Sequence, residues 1–289
     1  MSSSSLPSLL FLQDSHKSSH KGQSGRVAVI GGSAEYTGAP YFSGMTAMRT
    51  GADLAHIFCD ASAASVIKSY SPDVIVHPYL TSEDVDPWLE RMHSIVIGPG
   101  LGRNENLVQE LRGILSKAIN LQLNIVIDAD GLFFFSRYKD ILEQEKGKAI
   151  VVLTPNVMEF SRLSGGQKPT GNWPQQFAEE LGVILVVKGP EDVITDGEVT
   201  KKVSSPGSRK RCGGQGDLLT GALATFLHAM GSASPIVAAV ESCKLVRRAA
   251  VLADRKRGWS LVASDVLQEI PIALEELVTE LSYGGGQKK

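Results

Sequence analysis

The chain has 289 residues, of which 43% are apolar and 21% are charged, and its formal net charge at pH 7 is −2. This composition is typical of a soluble globular protein with a sizeable core. The slightly negative charge argues against a nucleic-acid or membrane-surface function that depends on a basic face. No apolar run approaches the roughly 20 residues of a membrane span. The three cysteines lack CxxC spacing, so they indicate neither a disulfide framework nor a zinc site and fit a reducing compartment.

The start of the chain is rich in serine, and no arginine precedes Arg26. The apolar run 9–12 is too short for a secretory signal, and a transit peptide would carry arginines. We therefore predict a flexible leader over residues 1–19, a single domain over 20–282 and a disordered tail over 283–289. A cytoplasmic location is favoured.

Short apolar runs rich in β-branched residues alternate along the chain with stretches of helical periodicity. In chain order, strands are predicted over 26–30, 52–59, 74–76, 94–97, 124–128, 149–153 and 183–187, followed by a hairpin over 193–203 that turns at Asp196-Gly197. Helices are predicted over 39–51, 61–69, 106–118, 218–229 and 235–254. This alternation predicts an α/β fold in which a mostly parallel sheet is covered by helices on both faces.

Polar residues follow nearly every predicted strand. Because ligands bind at the carboxyl ends of the strands in open α/β sheets, we expect a site assembled from several strand ends. Asp128 and Asp130 can hold Mg²⁺ through waters, or they can cap the next helix. Asn156 and Glu159 can bind a ligand and a metal, or they can simply begin a helix. Lys188 can bind phosphate as a point charge, or it can lie solvated at the rim.

The stretch 212–221 is a glycine cluster followed by an acid and an apolar run. Gly213, Gly214 and Gly216 expose backbone N–H groups without a Cβ to keep an anion away. The apolar run from Leu218 predicts a buried helix, and a glycine turn that opens a helix is an anion site. Asp217 would repel a phosphate, but it makes sense as a base beside one. The alternative is that Asp217 is an ordinary N-cap residue.

Three familiar arrangements are missing. The dinucleotide fingerprint GxGxxG does not fit the glycines after the first strand, Gly31-Gly32, and no glycine cluster is followed by Lys-Ser/Thr as in a Walker A loop. No Ser/His/Asp or Cys/His set emerges. A nucleotide, if one binds, must therefore be held by another loop.

Taken in order, several stretches together resemble the ATP-dependent (S)-NAD(P)H-hydrate dehydratase family of the ribokinase-like superfamily. The stretches that carry the resemblance are 25–32, 36–40, 97–103, 127–132, 153–160, 187–189 and 212–221. The resemblance runs from about His20 to about Ile270, and the Gln215 form of the glycine motif resembles the eukaryotic members. The epimerase domain that precedes this unit in many bacterial members is missing, so only the dehydratase activity is implied.

The resemblance implies a ribokinase-like fold and an ATP-dependent repair of the S epimer of hydrated NADH and NADPH. In that reaction ATP phosphorylates the C6 hydroxyl, and loss of phosphate restores the cofactor. The resemblance implies Asp217 as the catalytic base and the amides of Gly213, Gly214 and Gly216 as the hole for the moving phosphoryl group. Mg²⁺ is the implied cofactor and ATP the co-substrate, with Glu159 as a metal residue acting through ATP.

The resemblance also implies two binding surfaces. The residues that would bind the hydrate are Gly102, Asn156, Val157, Met158, Glu159, Phe160, Ser161, Arg162 and Asp217. For ATP they are Lys188, Gly189, Pro190, Glu191, Asp192, Ser208, Arg209, Lys210, Arg211, Cys212, Gly213, Gly214, Gln215 and Gly216. It further implies a functional link to an NAD(P)H-hydrate epimerase, a homo-oligomer and, in some relatives, a mitochondrial form.

Two other functions stay open. One is a small-molecule kinase of the same superfamily, of the hydroxymethylpyrimidine or hydroxyethylthiazole kinase type, which would release a stable phosphorylated product. The other is a non-catalytic regulator that binds NAD at the first strand and helix, independently of ATP.

Overall fold

The structure is a computed structural model, and it describes residues 22–231 and 235–284. The predicted leader, His20 and residues 285–289 of the predicted tail lie outside the described residues, and the last helix runs to Gly284. Within the described part of the chain, no helix is both long enough and apolar enough to cross a membrane.

The described residues form one nine-stranded sheet in the order β3-β2-β1-β4-β5-β6-β7-β8-β9. Strands β1 to β7 are parallel, whereas β8 is antiparallel to β7 and β9 to β8. The strands are β1 (Arg26–Ile30), β2 (Leu54–Phe58), β3 (Ile75–His77), β4 (Ser94–Ile97), β5 (Asn124–Ile127), β6 (Val151–Leu153), β7 (Ile184–Val187), β8 (Asp192–Thr195) and β9 (Thr200–Val203). Each predicted strand is present, and so is the hairpin, which confirms the predicted fold class.

The α-helices lie between and after these strands. They are α1 (Gly38–Arg49), α2 (Ala61–Tyr70), α3 (Ser82–Leu89), α4 (Val108–Asn120), α5 (Asp130–Phe133), α6 (Lys139–Gln144), α7 (Val157–Leu163), α8 (Trp173–Leu181), α9 (Gln215–Met230), α10 (Pro235–Arg257) and α11 (Ala263–Gly284). The sequence does not predict α3, α5, α6, α8 or α11. The first four are short, so they give few turns of periodicity, and α11 contains Pro271, which normally marks a helix end.

Alternation along the strands builds two cores. Val27 and Val29 of β1 pack with residues of α1, α9, α10 and α11 on one face of the sheet. Ala28 and Ile30 pack with residues of α3, α4 and α8 on the other face. Because successive strand residues point to opposite faces, one continuous apolar run supplies both cores. The result is a three-layer α/β/α arrangement, in which the helices cover both faces of the sheet and leave the carboxyl ends of the parallel strands accessible to loops.

The strand order reverses at β1 and β4, and the loops after these strands are packed tightly. Gly98 follows β4 with φ +130°, and a Cβ there would overlap the carbonyl oxygen of Asp128. A Cβ on Gly31, after β1, would overlap the carbonyl oxygen of Pro99. Glycine is required at both positions because backbone meets backbone. This close approach gathers the ends of β1, β4 and β5, where ligands bind in folds of this kind.

Candidate active site

The glycine cluster turns the chain into α9. Gly214 is the N-cap residue, with φ +94°, and a Cβ there would lie 2.6 Å from the Cβ of Ala263. The N–H groups of the first helical turn have no intrahelical partner, and the helix dipole adds positive potential at this end. From Leu218 onward nearly every residue of the helix is buried. The turn therefore has the backbone geometry that an anion site requires.

Asp217 lies in the first turn of α9 and does not cap it. The N-cap position belongs to Gly214, and no side chain caps this helix. The hydroxyl of Thr220 donates to the backbone oxygen of Asp217, not to its carboxylate. The alternative interpretation of Asp217 as an N-cap is therefore wrong, and its carboxylate is left facing the strand ends.

Lys188 and Asp128 form an ion pair at the ends of β7 and β5. The Lys188 Nζ lies 2.6 Å from Asp128 Oδ1, and the side chains are 21% and 2% exposed. The Lys188 N–H donates to the carbonyl of Pro155 at 2.8 Å, which continues the parallel pairing beyond the strand. Burial alone would lower the pKa of Lys188, but the charges of Asp128 and Glu159 outweigh it and raise the pKa. Lys188 is thus a fixed cation inside the site and not a solvated rim residue.

The ion pair lies directly beneath the glycine turn. A Cβ on Gly216 would come 3.2 Å from Lys188 Nζ and 3.4 Å from Asp128 Oδ2. A Cβ at this position would be in tight contact with the Lys188 ammonium, so a side chain here leaves little space between the turn and the ion pair. A phosphate held by the turn would therefore also lie near the Lys188 ammonium.

The pKa of Asp217 is raised to about 8. Burial is the largest cause, the negative charges of Asp128 and Asp130 add to it, and Lys188 opposes it. A carboxyl group with a pKa near the working pH can both accept a proton and release it, as a general base must. Perturbed carboxyl groups of this kind are characteristic of functional sites.

Asp130 positions the loop after β4. Its Oδ2 accepts a hydrogen bond of 2.9 Å from the Gly102 N–H, and its Oδ1 lies 3.7 Å from Arg103 Nε. The Arg103 guanidinium lies 4.6 Å from the centre of the Phe133 ring. Ala129, between the two aspartates, has φ +49° without being glycine, a strained conformation of the sort found at active sites. No side chain caps α5, so helix capping does not explain Asp128 or Asp130.

Asn156 and Glu159 begin α7 as a capping box. Asn156 Oδ1 accepts from the N–H groups of Met158 and Glu159, both at 2.9 Å, while Glu159 Oε2 accepts from the Asn156 N–H at 2.7 Å. Burial raises the pKa of Glu159, and Asp128 adds to this effect. One Glu159 oxygen is therefore committed to the helix, and the other is left for a ligand.

The remaining predicted hydrate residues of α7 differ in what they expose. Met158 is 64% exposed and Val157 44%, while Ser161 and Arg162 are also accessible. Phe160 is fully buried in the core, so only its backbone can reach a ligand. The exposed face of α7 thus offers an apolar surface next to the polar Asn156.

The loop between β7 and β8 is tied to α10 by Arg247. Asp192 accepts from Arg247 Nε at 2.7 Å and from the Gly189 N–H at 3.0 Å. Arg247 also donates to the carbonyl oxygens of Gly189 at 2.8 Å and Ser205 at 3.0 Å. The Asp192 carboxylate is therefore a structural acceptor that shapes the predicted ATP loop. Sequence reasoning missed Arg247 because no motif surrounds it in the middle of a long helix.

A cavity of about 480 Å³ lies between this loop, the glycine turn and α10. Among the predicted ATP residues it brings together Lys188, Gly189, Pro190, Asp192, Ser208, Arg211, Cys212, Gly213, Gly214, Gln215 and Gly216, and it adds Asn156. Apolar lining from Leu219, Cys243, Val246 and Ala250 was not predicted. These apolar side chains belong to no motif, so only their helical spacing could have indicated them.

Three of the predicted ATP residues do not line the cavity. Glu191 pairs with Lys202 at 2.8 Å, and Arg209 pairs with Asp254 at 2.9 Å. Lys210 donates its ammonium to the carbonyl of Leu261 at 2.9 Å. The charged groups of these side chains bind other parts of the protein.

The site fits a magnesium ion that arrives with a nucleotide. Among the described residues no three His, Cys, Asp or Glu side chains are placed to hold a metal by themselves. Asp128 and Glu159 each have one oxygen engaged and one remaining, while the second oxygen of Asp130 lies 3.7 Å from Arg103 Nε. Mg²⁺ usually keeps several waters and binds one or two carboxylates together with phosphates, and this donor set suits that mode.

The sequence model of the NAD(P)H-hydrate dehydratase family matches residues 27–272. The chain belongs to this family. Relatives named ATP-dependent (S)-NAD(P)H-hydrate dehydratase include one from Drosophila pseudoobscura, 49% identical over 263 residues, which covers 87% of this chain and 86% of the relative. Another, from Bos taurus, is 43% identical over 281 residues, covering 89% and 84%. The resemblance noted in the sequence is confirmed.

Solved structures share the fold. The Bacillus subtilis ADP/ATP-dependent NAD(P)H-hydrate dehydratase, co-crystallised with ATP/Mg²⁺, has a TM-score of 0.72 at 21% identity, covering 90% of this chain and 92% of that one. A ribokinase-like superfamily protein from Enterococcus faecalis has a TM-score of 0.77 at 25% identity, covering 93% and 95%. The predicted ribokinase-like fold is thus confirmed.

Proposed function

We propose that this protein is an ATP-dependent (S)-NAD(P)H-hydrate dehydratase, which converts hydrated NADH or NADPH and ATP into the intact cofactor, ADP and phosphate. The observation that carries the proposal is the Asp217 carboxyl, with its raised pKa, beside a glycine turn built for a phosphate. Family membership supports the reaction, since relatives 42–49% identical carry this name.

The chemistry begins at the C6 hydroxyl of the hydrated nicotinamide ring. Its oxygen forms a bond to the γ-phosphorus of ATP, the bond to the β-phosphate oxygen breaks, and ADP leaves. The hydroxyl proton passes to the Asp217 carboxylate, which acts as general base. The C6–O bond then breaks and phosphate departs, and the proton that C5 loses passes to the departing phosphate or to water, which restores the ring double bond.

The backbone of the glycine turn and Lys188 stabilise the charge of the moving phosphoryl group. The amides of Gly213, Gly214 and Gly216 converge at the start of α9, and Lys188 is fixed below them by Asp128. Donors that are held in place before the reaction need no reorganisation during it, so this kind of stabilisation carries much of phosphoryl-transfer catalysis.

ATP would occupy the 480 Å³ cavity with its phosphates towards the glycine turn. The apolar wall of Cys243, Val246 and Ala250 suits a purine ring, which is largely apolar on its faces. Magnesium would neutralise the phosphate charge when bound, and the free oxygen of Glu159 would hold it through a water. The hydrate would lie on the other side of Asp217, against Gly102 and the exposed face of α7.

Enzymatic repair of the hydrate is the decisive test. The protein is incubated with ATP, Mg²⁺ and acid-generated NADH hydrate, and recovery of reduced-nicotinamide absorbance is followed together with ADP and phosphate release. We expect one ADP and one phosphate per cofactor restored, and none of this with Asp217→Asn. A kinase of the hydroxyethylthiazole type would release ADP without phosphate, and an NAD-binding regulator would release neither; either result would refute the proposal.

Several accompanying expectations remain predictions. They are the link to an NAD(P)H-hydrate epimerase, which would convert the R epimer into the usable one, a homo-oligomeric state, and a cytoplasmic location with a possible mitochondrial form.

A further inference from the structure

A second cavity, of about 600 Å³, lies on a different face of α10 from the candidate active site. Helices α10 and α11 form two of its walls, and the end of β9 with the segment 204–206 forms the third. Its volume is within the range of small-molecule sites. The proposed reaction uses none of its residues.

Two faces of the same helix line the two cavities. Cys243, Val246, Arg247 and Ala250 of α10 face the active-site cavity, whereas the second cavity is lined by residues that include Lys244, Arg248, Val251 and Arg255. Each set recurs every three or four residues, so each is one face of the helix. The two cavities are therefore separated by the thickness of one helix.

The second cavity contains one exposed arginine without a partner among the described residues and one paired arginine with an unused nitrogen. Arg255 has no hydrogen-bond or ion-pair partner among the residues that the structure describes. Arg248 pairs with Glu280 at 2.6 Å and with Glu276 at 3.8 Å, but its Nη1 is buried without a partner. Unmet hydrogen-bonding groups that are buried cost about 1–3 kcal/mol. An acceptor supplied by a ligand would relieve this cost.

The cavity lining also contains one carboxylate oxygen that accepts no hydrogen bond from the described residues. Glu241 is only 6% exposed, and its Oε1 binds Lys244 at 2.7 Å, while Oε2 is buried without a partner. It stands seven residues, or about 10 Å, before Arg248 on the helix. Val251 and Leu277 supply apolar surface to the same cavity. The cavity thus combines free guanidinium donors, an apolar wall and one free carboxylate oxygen.

We propose that this cavity is a second nucleotide site, which binds a mononucleotide or a dinucleotide through its phosphates. Guanidinium groups bind phosphate in a planar, bidentate manner, so Arg255 would hold a phosphate in this way, and Arg248 would add a hydrogen bond from its unused Nη1. The base would lie on the apolar wall, and its N–H groups would donate to Glu241. Acidic residues of α11 in the lining, Glu276 and Glu280, limit the charge that the site accepts, which favours one or two phosphates over three.

A ligand in this cavity would act on the ATP loop through Arg247. The segment 204–206 lines the second cavity, and the next residues, Gly207 and Ser208, line the first. Arg247 donates to the carbonyl of Ser205 and, with the same guanidinium, to Gly189 and Asp192. Moving Ser205 therefore moves the group that holds the ATP loop. This coupling rests on the proposed function, whereas the binding itself does not.

Calorimetry on the full chain tests the binding. The active-site cavity is first filled with a non-hydrolysable ATP analogue and Mg²⁺, and AMP or NADP⁺ is then titrated in separate experiments. We expect one further site for at least one of them, with a Kd weakened at least tenfold by Arg255→Ala. Arg91→Ala, which removes an exposed arginine far from the cavity, is the matched control and should change nothing. Val251→Phe, which fills the apolar part, should also weaken binding.

A kinetic measurement tests the coupling. The ligand should change the KM for ATP of the wild type at least twofold and should leave that of Arg255→Ala unchanged, while kcat without ligand is the same in both. Absence of binding beyond the analogue, or full binding by both Arg255→Ala and Val251→Phe, would overturn the proposal. So would an altered sedimentation coefficient of Arg255→Ala, since a second copy of the chain would then cover the cavity. Absence of hydrate repair leaves the binding result interpretable.

Discussion

The loop from Lys188 to Asp192 has a buried ion pair at each end, and the two pairs differ in how completely their charges are matched. At one end Asp192 meets Arg247, and both carboxylate oxygens have donors, while Arg247 also binds two carbonyl groups. At the other end Lys188 meets Asp128. That one cation also faces the carboxyl groups of Asp217 and Glu159.

This difference separates a pair that holds structure from one that supports reactivity. The Asp192–Arg247 pair satisfies its hydrogen-bonding groups, so it fixes the loop and has no spare charge. The Lys188–Asp128 pair leaves a surplus of acid, and burial of that surplus raises the pKa of Asp217 to about 8. An unbalanced cluster costs stability, and the site retains it because a proton acceptor and a phosphate contact are needed there.

Asp217→Asn should have the largest effect on activity. The amide keeps the shape of the carboxyl but cannot take the hydroxyl proton, so we expect kcat to fall by about 10²–10⁴-fold. Calorimetry should show that the ATP analogue binds as before, since the glycine turn is unchanged. Near-normal turnover would contradict the assignment of Asp217 as the base.

The same variant should be more stable than the wild type at alkaline pH. The pKa of Asp217 is raised from 3.8 to about 8 in the folded protein, so the folded state keeps a proton that the unfolded state has lost. The wild type therefore loses stability as pH rises from about 4 to about 8. The amide removes this loss, and urea unfolding at pH 9 should show a gain of about 1–2 kcal/mol.

Arg247→Met tests the balanced end of the loop. Removal of one partner leaves Asp192 buried without its counter-charge, so the free energy of unfolding should fall by about 3–5 kcal/mol. Adding Asp192→Asn to this variant should recover part of that loss, as measured by urea unfolding. If the single variant is as stable as the wild type, the pair does not hold the loop.

Asp128→Asn tests the unbalanced end through the pH dependence of kcat/KM. With an essential base of pKa about 8, activity should rise with pH through that value. Removing the Asp128 charge takes away a repulsion, and it also frees Lys188 to favour the Asp217 carboxylate. The midpoint should therefore move to lower pH, while the exposed Asp73→Asn control leaves it in place. A midpoint that moves upward would contradict the charge argument.

The sequence predicts the sheet well because its buried parallel strands are continuous apolar runs between polar strand ends. Such runs predict the bounds of β1 and of β4 to β7 to within about two residues, and the Asp196-Gly197 turn predicts the hairpin. Short helices such as α5 and α7 are harder to predict from the sequence, since one or two turns give little periodicity. Asp128 and Lys188 lie at the carboxyl ends of β5 and β7, where the sequence predicts that ligand-binding residues gather.

The parts of the site that the sequence could not predict depend on long-range contacts. Arg247 binds a loop that lies 55 residues earlier, and nothing in its own helix indicates that distance. The apolar wall of Cys243 and Val246 lies on a helix whose core residues are also small and apolar, so the cavity face cannot be distinguished from the core face by composition. The pairing of Lys188 with Asp128 likewise follows from the strand order.

Glu159→Gln should have the smallest effect on stability. It tests whether Glu159 only caps α7 or also takes part in the reaction near Lys188 and Asp128. Glutamine also completes a capping box, so the free energy of unfolding should stay within about 0.5 kcal/mol of the wild type. If Glu159 holds Mg²⁺ on ATP, the Mg²⁺ concentration for half-maximal activity should rise roughly tenfold. The exposed Glu198→Gln is the control. An unchanged Mg²⁺ dependence, together with a loss of about 1 kcal/mol in Glu159→Ala, would make Glu159 a helix cap and nothing more.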